Sequence, residues 1–175
     1  MGFQRIPLPL DGACLIAPTV YRDPRGFFME SYSRRAFAEI GIPIEFVQDN
    51  HSRSVKGVVR GLHFQDARAP QAKLVRCTVG QIWDVIVDLR LGSPTFGRWT
   101  AVELSAENCL MLFVPAGFAH GFAALSDIAE LQYKCDAYYT PQAERAIRWD
   151  DPDLAISWPV SHPLLSAKDA AAPSF

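Results

Sequence analysis

"KLVRCTVGQIWDVIVDLR", Lys73 to Arg90, reads as two β-strands joined at Gly80. In its second half Ile82, Asp84, Ile86 and Asp88 fall on one face while Trp83, Val85, Val87 and Leu89 fall on the other, which is the two-residue period of a strand. The same pattern extends outward. "IEFVQDN" and "GVVRGLHFQ" precede it, and "WTAVELS", "CLMLFVPAG", "HGFAALS" and "AELQYKCDAYY" follow it, spaced by Gly, Pro, Asp, Asn or Ser. Many short strands without intervening helices predict an all-β sandwich or barrel rather than a parallel α/β sheet.

Outside this run, the segment from Gly12 to Tyr32 reads as a hairpin turning at Asp23-Pro24-Arg25-Gly26. "SRRAFAEI", Ser33 to Ile40, reads as a short peripheral helix: Ser33 is a suitable N-cap, Phe37 and Ile40 share a face, and Gly41 ends it. The tail from about residue 140 is rich in Pro, Asp and Trp. Its "RWDDPDLAISWP" predicts turns and a short helical piece that pack Trp149 and Trp158 onto the barrel. With no internal repeat, low-complexity segment or linker, residues 1–175 are expected to form one domain.

Bulk properties narrow the function. A chain of 175 residues with 49% hydrophobic and 21% charged residues can bury a core without staples. Its net charge of -2 supplies no basic field for a long polyanion, so nucleic acid is not an expected partner. Cys14, Cys77, Cys109 and Cys135 lie far apart among apolar neighbours, with no C-x-x-C and no secretory leader ahead of them. They are expected to be reduced, buried thiols of a soluble cytoplasmic protein, and no apolar run reaches membrane-spanning length.

The chemistry-bearing stretches are "RGLHFQ" and "FVPAGFAHGF". The second places Pro115, Gly117 and His120 as P-x-G-x-x-H and resembles a conserved segment of the cupin superfamily. Metal-binding cupins carry H-x-H plus a carboxylate in the matching first segment, because a divalent ion needs three or more converging ligands. Here Leu62-His63-Phe64 offers one histidine, so no metal is expected. His63 and His120 could each be a satisfied interior histidine. Arg60, Lys73 and Tyr133 shift the balance, since burying them beside His63 without an anionic ligand costs several kcal/mol unless they are paired.

Taken in order, "DPRGFFMESY", "FVQDNHSRSVKGVVRGLHFQ", "PQAKLVRCTVGQIWDVIVDLR", "GSPTFGRW", "VPAGFAHGF", "YKCDAYYTP", "ERAIRWDDPDL" and "LSAKD" resemble the dTDP-4-dehydrorhamnose 3,5-epimerase family from about Gly12 to Pro173. The resemblance implies a cupin-like jelly-roll barrel with short peripheral helices. It also implies no metal or organic cofactor, and a homodimer with strands exchanged across the interface. The substrate it implies is a dTDP-4-keto-6-deoxy sugar whose C3 and C5 hydrogens are acidified by the C4 ketone. It assigns His63 as base, oriented by Asp169, with Tyr133 as the acid on the opposite face and Lys73 on the enolate oxygen. A Tyr133 phenol made acidic by nearby cations would suit that role.

The expected binding set is Arg25, Arg60 and His120 at the diphosphate and Glu30, Gln48, Asp49 and Asn50 on base or sugar. Phe28, Tyr138 and Tyr139 are expected around the thymine or sugar, with Glu144 and Lys168 from the last matched segments. Asp49 and Asn50 could instead make an Asx turn, Phe28 could be core and Glu30 a surface carboxylate. His51 and His162 are expected to be structural, and Phe64 stands where the family commonly has tyrosine. Alternatives to double epimerisation are a monofunctional C3 or C5 epimerase, a metal-dependent cupin oxygenase and a sugar-nucleotide binder without turnover.

Overall fold

The computed structural model describes residues 2–175. The chain runs β1 (Phe3–Pro7), β2 (Cys14–Pro18), β3 (Tyr21–Asp23), β4 (Gly26–Phe28), α1 (Arg34–Glu39), β5 (Gln48–Val55), β6 (Val59–Gln65) and β7 (Lys73–Val79). It continues through β8 (Gln81–Asp88), β9 (Trp99–Ser105), β10 (Met111–Val114), β11 (Phe118–Ala124), β12 (Ile128–Cys135), β13 (Glu144–Ala146) and α2 (Ala167–Ala170). One sheet has the order β1-β2-β10-β7-β12-β5, the other β13-β6-β11-β8-β9, and β3 and β4 form a hairpin of their own. Within the sheets all neighbouring strands are antiparallel. This is the cupin-like jelly roll that the strand pattern and the resemblance imply.

Alternation decides what each strand buries. Val75, Cys77, Leu112 and Leu131 of the first sheet meet Ile82, Ile86, Phe118 and Phe122 of the second in the main core. The intervening residues face outward and are covered too. Leu74, Met111 and Phe113 pack under Phe37 of α1, whose N-terminus is capped by the Ser33 side chain. Val85, Val87 and Leu62 lie under the tail, where Trp158 stacks edge-on with Trp83 at 5.3 Å and with Trp149 at 6.5 Å. The four cysteines are free and buried. Among the described residues, no helix is long and apolar enough to cross a membrane.

Two glycines set the backbone that carries the histidines. A Cβ on Gly61 would lie 2.5 Å from the Gly121 Cα, and one on Gly121 would lie 2.8 Å from the Arg60 carbonyl oxygen. Gly61 also sits at φ +127°, where L side chains are strained. With no Cβ at either position, β6 and β11 approach closely and His63 pairs in register with His120, just before a shift in the ladder.

Ahead of the segments that carry the resemblance, β1 pairs along β2, with Phe3 packed edge-on against Phe37 at 4.7 Å. Two readings need correction. β5 starts at Gln48 and runs on to Val55, so Asp49 and Asn50 sit within a strand rather than an Asx turn, and His51 is also on that strand. Its polar residues show no apolar alternation, and only pairing with β12 makes it a strand. "RWDDPDLAISWP" is not helical. The Asp151 carboxylate accepts from the N–H groups of Asp153, Leu154 and Phe175 and folds this stretch as turns. The short helical pieces lie instead at Pro141–Ala143 and Ala167–Ala170.

Candidate active site

At one end of the barrel the apolar filling gives way to inward-facing polar side chains. His63 comes from β6, and its Nε2 donates to Asp169 Oδ1 at 2.5 Å. Asp169 is only 3% exposed and arrives from α2, more than a hundred residues along the chain. Ser166 fixes it: the hydroxyl donates to Asp169 Oδ2 at 2.8 Å and accepts from the Asp169 N–H at 3.1 Å. With Nε2 committed, Nδ1 is the nitrogen of His63 left for other chemistry. Burial pulls the His63 pKa below its ordinary value; Asp169 opposes the fall, and Lys73 and His120 add to it. A neutral imidazole is therefore favoured at pH 7.

His63 opens on a pocket of about 330 Å³, shared with Lys73 from β7, Tyr133 and Cys135 from β12, and Gln48 and Asn50 from β5. Gln65, Gln71, Tyr139 and Glu144 complete it. Burial lowers the Lys73 pKa. Burial also raises the Tyr133 pKa, and Arg60 opposes that rise without overcoming it, so the expectation of an acidified phenol is corrected. Tyr133 stays a protonated donor at neutral pH. At the rim, Glu144 accepts from the Tyr139 hydroxyl at 2.7 Å and pairs with Lys168 at 2.6 Å. Desolvation pushes its pKa up, but these two partners prevail and hold it below the ordinary value.

Other expected residues lie elsewhere. Arg25 and Phe28 belong to the β3–β4 hairpin and are exposed; the Arg25 guanidinium grips Asp23 at 2.6 Å. Glu30 follows the hairpin and is likewise outside the pocket lining. Asp49 faces away from Gln48 and Asn50, as a two-residue period requires, and pairs with Lys134 at 2.9 Å. Tyr138 is exposed, and its backbone carbonyl accepts from Gln65 at 3.4 Å. Arg60 donates to Ser54 Oγ and to the Arg53 carbonyl, each at 3.1 Å.

His120 is 8% exposed, bonds through Nε2 to Asp84 Oδ1 at 2.8 Å, and is not among the residues that line the His63 pocket. His51 is exposed and pairs with Glu130 at 2.9 Å, while His162 is exposed in the tail. The sequence reading missed Gln65, Gln71, Ser166 and Asp84. Gln65 stands two residues after His63 on the same strand face, a signal that was available. Among the described residues no group of three or more His, Cys, Asp or Glu is arranged to hold a metal ion.

A family model for dTDP-4-dehydrorhamnose 3,5-epimerase matches residues 7–175. The chain belongs to that family. A dTDP-4-dehydrorhamnose 3,5-epimerase of Pseudomonas aeruginosa is 54% identical over 177 residues, covering 100% of this chain and 96% of that protein. Among solved epimerases, the Bacillus anthracis enzyme with TDP and PPi bound superposes with a TM-score of 0.97 at 44% identity, covering 99% of this chain and 100% of that one. The Legionella pneumophila dTDP-6-deoxy-D-glucose-3,5-epimerase, in complex with dTDP-4-keto-L-rhamnose, superposes with a TM-score of 0.94 at 49% identity, covering 98% and 92%. Membership in this epimerase family sets aside the oxygenase and non-catalytic readings.

Proposed function

We infer that the protein is a dTDP-4-dehydrorhamnose 3,5-epimerase, an isomerase of dTDP-L-rhamnose biosynthesis that inverts C3 and C5 of dTDP-4-dehydro-6-deoxy-D-glucose. The observation that carries the reading is the buried His63–Asp169 pair opening on a pocket that also holds Lys73 and Tyr133. The C4 ketone acidifies the C3 and C5 hydrogens, so a neutral imidazole suffices as the base. His63 removes the proton through Nδ1, and Asp169 stabilises the imidazolium that forms. Charge then develops on the C4 oxygen, where the Lys73 ammonium stabilises it. Tyr133 delivers a proton from the opposite face, and repetition at the second carbon completes the inversion. No step in this scheme calls for a metal or organic cofactor.

In the same reading, Gln48, Asn50, Tyr139, Glu144 and Lys168 hold the base and sugar, and Arg60 and His120 serve the diphosphate, His120 through its uncommitted Nδ1. The chain acts as one jelly-roll domain in the cytoplasm and pairs as a homodimer. The exposure of Tyr21, Phe27 and Phe28 at 49%, 53% and 59% supports a hairpin that lies against a second copy and carries Arg25, Phe28 and Glu30 toward its pocket. Asp49 and Tyr138 then sit at the rim.

Incubation with dTDP-4-dehydro-6-deoxy-D-glucose in D2O, followed by NMR, tests the activity. Deuterium is expected at both C3 and C5. Incorporation at one carbon would make the enzyme monofunctional, and incorporation at neither would remove the epimerase reading.

A further inference from the structure

The connection between β12 and β13 carries both rim tyrosines, Tyr138 and Tyr139, and its residues 137–140 lie outside any strand or helix. Backbone groups there have no ladder to pair with, so their partners must come from elsewhere. The side-chain amides of three glutamines supply them. Gln71 Nε2 donates to the Ala137 carbonyl at 2.7 Å, and Gln65 Nε2 makes a longer bond to the Tyr138 carbonyl at 3.4 Å. Gln48 Oε1 accepts from the Tyr139 N–H at 3.0 Å, and Gln65 Oε1 accepts from the Thr140 N–H at 2.6 Å. Consecutive residues of one loop are thus each held through the backbone, by side chains from β5, β6 and the β6–β7 connection.

We propose that Gln65 is a positioning residue: it fixes the loop that sets the Tyr139 ring as a wall of the substrate pocket, and it does so from the strand that carries His63. Its own amide has little left to offer a substrate, although it lines the pocket. Nε2 also donates to the Ala69 carbonyl at 2.9 Å, so both amide hydrogens and one lone pair of Oε1 are engaged within the protein, and the residue is only 6% exposed. The inference rests on the reading of Tyr139 as a residue that holds the base or sugar.

Tyr139 is anchored at two ends. Its hydroxyl donates to Glu144, which stands opposite Gln65 in the β13–β6 ladder, while its backbone and that of Thr140 are held by Gln48 and Gln65. A loop that kept only the hydroxyl contact would sample many ring positions, and the entropy of ordering it would then oppose substrate binding. Preformed by the glutamines, the wall needs no ordering when the sugar nucleotide arrives. That difference belongs to KM, because it acts before chemistry begins and leaves the His63–Asp169 pair untouched.

Gln65→Met keeps the length of the side chain and removes its hydrogen bonds. Amide hydrogen exchange of the free protein is expected to speed about tenfold at Thr140, with the amides of β8 unmoved. Steady-state kinetics with dTDP-4-dehydro-6-deoxy-D-glucose should show KM raised about tenfold, a smaller fall in kcat, and the acid limb of kcat/KM at its wild-type pH. Tyr139→Ala should raise KM in the wild-type background and add little to Gln65→Met, because a displaced wall has little left to lose. Unmoved Thr140 exchange, unmoved KM, or an equal effect of Tyr139→Ala in both backgrounds would each overturn the proposal. If Gln65→Met does not fold, the wild-type protein decides: a protected Thr140 amide supports the clamp, and one as labile as a free amide overturns it. Wild-type protein that turns over no substrate would refute the epimerase reading instead, and Thr140 exchange would still show whether Gln65 holds the loop.

Discussion

Replacing Asp169 by Asn removes one negative charge with almost no change in volume. The Ser166 hydroxyl can accept from the new amide nitrogen, which keeps Oδ1 turned toward His63 and still accepting from Nε2–H. The base therefore keeps its tautomer, and what is lost is the counter-charge to the imidazolium formed during proton abstraction. A hydrogen bond to a charged group is worth about 1.5–3 kcal/mol against about 0.5–1.5 for a neutral one. The difference of roughly 1–2 kcal/mol predicts a 5- to 30-fold slower exchange at both C3 and C5. The pH dependence carries a second signature. Asp169 raises the His63 pKa against burial, Lys73 and His120, so removing its charge lets the pKa fall further. Because the base must be neutral to work, the acid limb of kcat/KM should move to lower pH while the plateau drops. Deuterium incorporation followed by NMR between pH 5 and about 9 reads both effects. Wild-type rates would refute Asp169 as the counter-charge to the imidazolium, and a lowered plateau with an unmoved acid limb would refute its effect on the His63 pKa.

Tyr133→Phe should leave deuterium exchange in place, since His63 is intact, while the yield of inverted product falls; equal loss of both would move Tyr133 from proton return to proton abstraction. Gly61→Ala drives a Cβ toward the Gly121 backbone at 2.5 Å and toward the His120 carbonyl at 2.9 Å. It should cost about 2–4 kcal/mol in urea denaturation, combining positive-φ strain with overpacking. Mixing Arg25→Ala with His63→Ala, each inactive alone, should restore activity if the hairpin of one copy completes the pocket of the other; a mixture as inactive as its components would refute the exchanged hairpin. Lys168→Ala should change urea stability by less than about 1 kcal/mol, because the exposed pair with Glu144 is screened by solvent, yet raise KM.

Most strands and much of the inward face are legible in the order of residues. In "GLHFQ", "KLVRC" and "LQYKC" the two-residue period alone puts His63, Lys73 and Tyr133 on the same side as core residues such as Val75 and Leu131. That periodicity is local, so it survives in a string of letters, and Ser33 and Gly41 mark the helix for the same reason. Other features existed only once the chain was folded. β5 is a strand through pairing with β12, because its own residues lack apolar alternation. The Tyr133 phenol is raised rather than acidified because burial, a property of the whole barrel, outweighs Arg60. The bonds from His120 to Asp84 and from His63 to Asp169 depend on strands and a helix far apart in sequence, and no spacing rule relates positions 84 and 120 or 63 and 169. The order of residues fixed which face each side chain takes, whereas long-range contact and exclusion of water decided its partners and its charge.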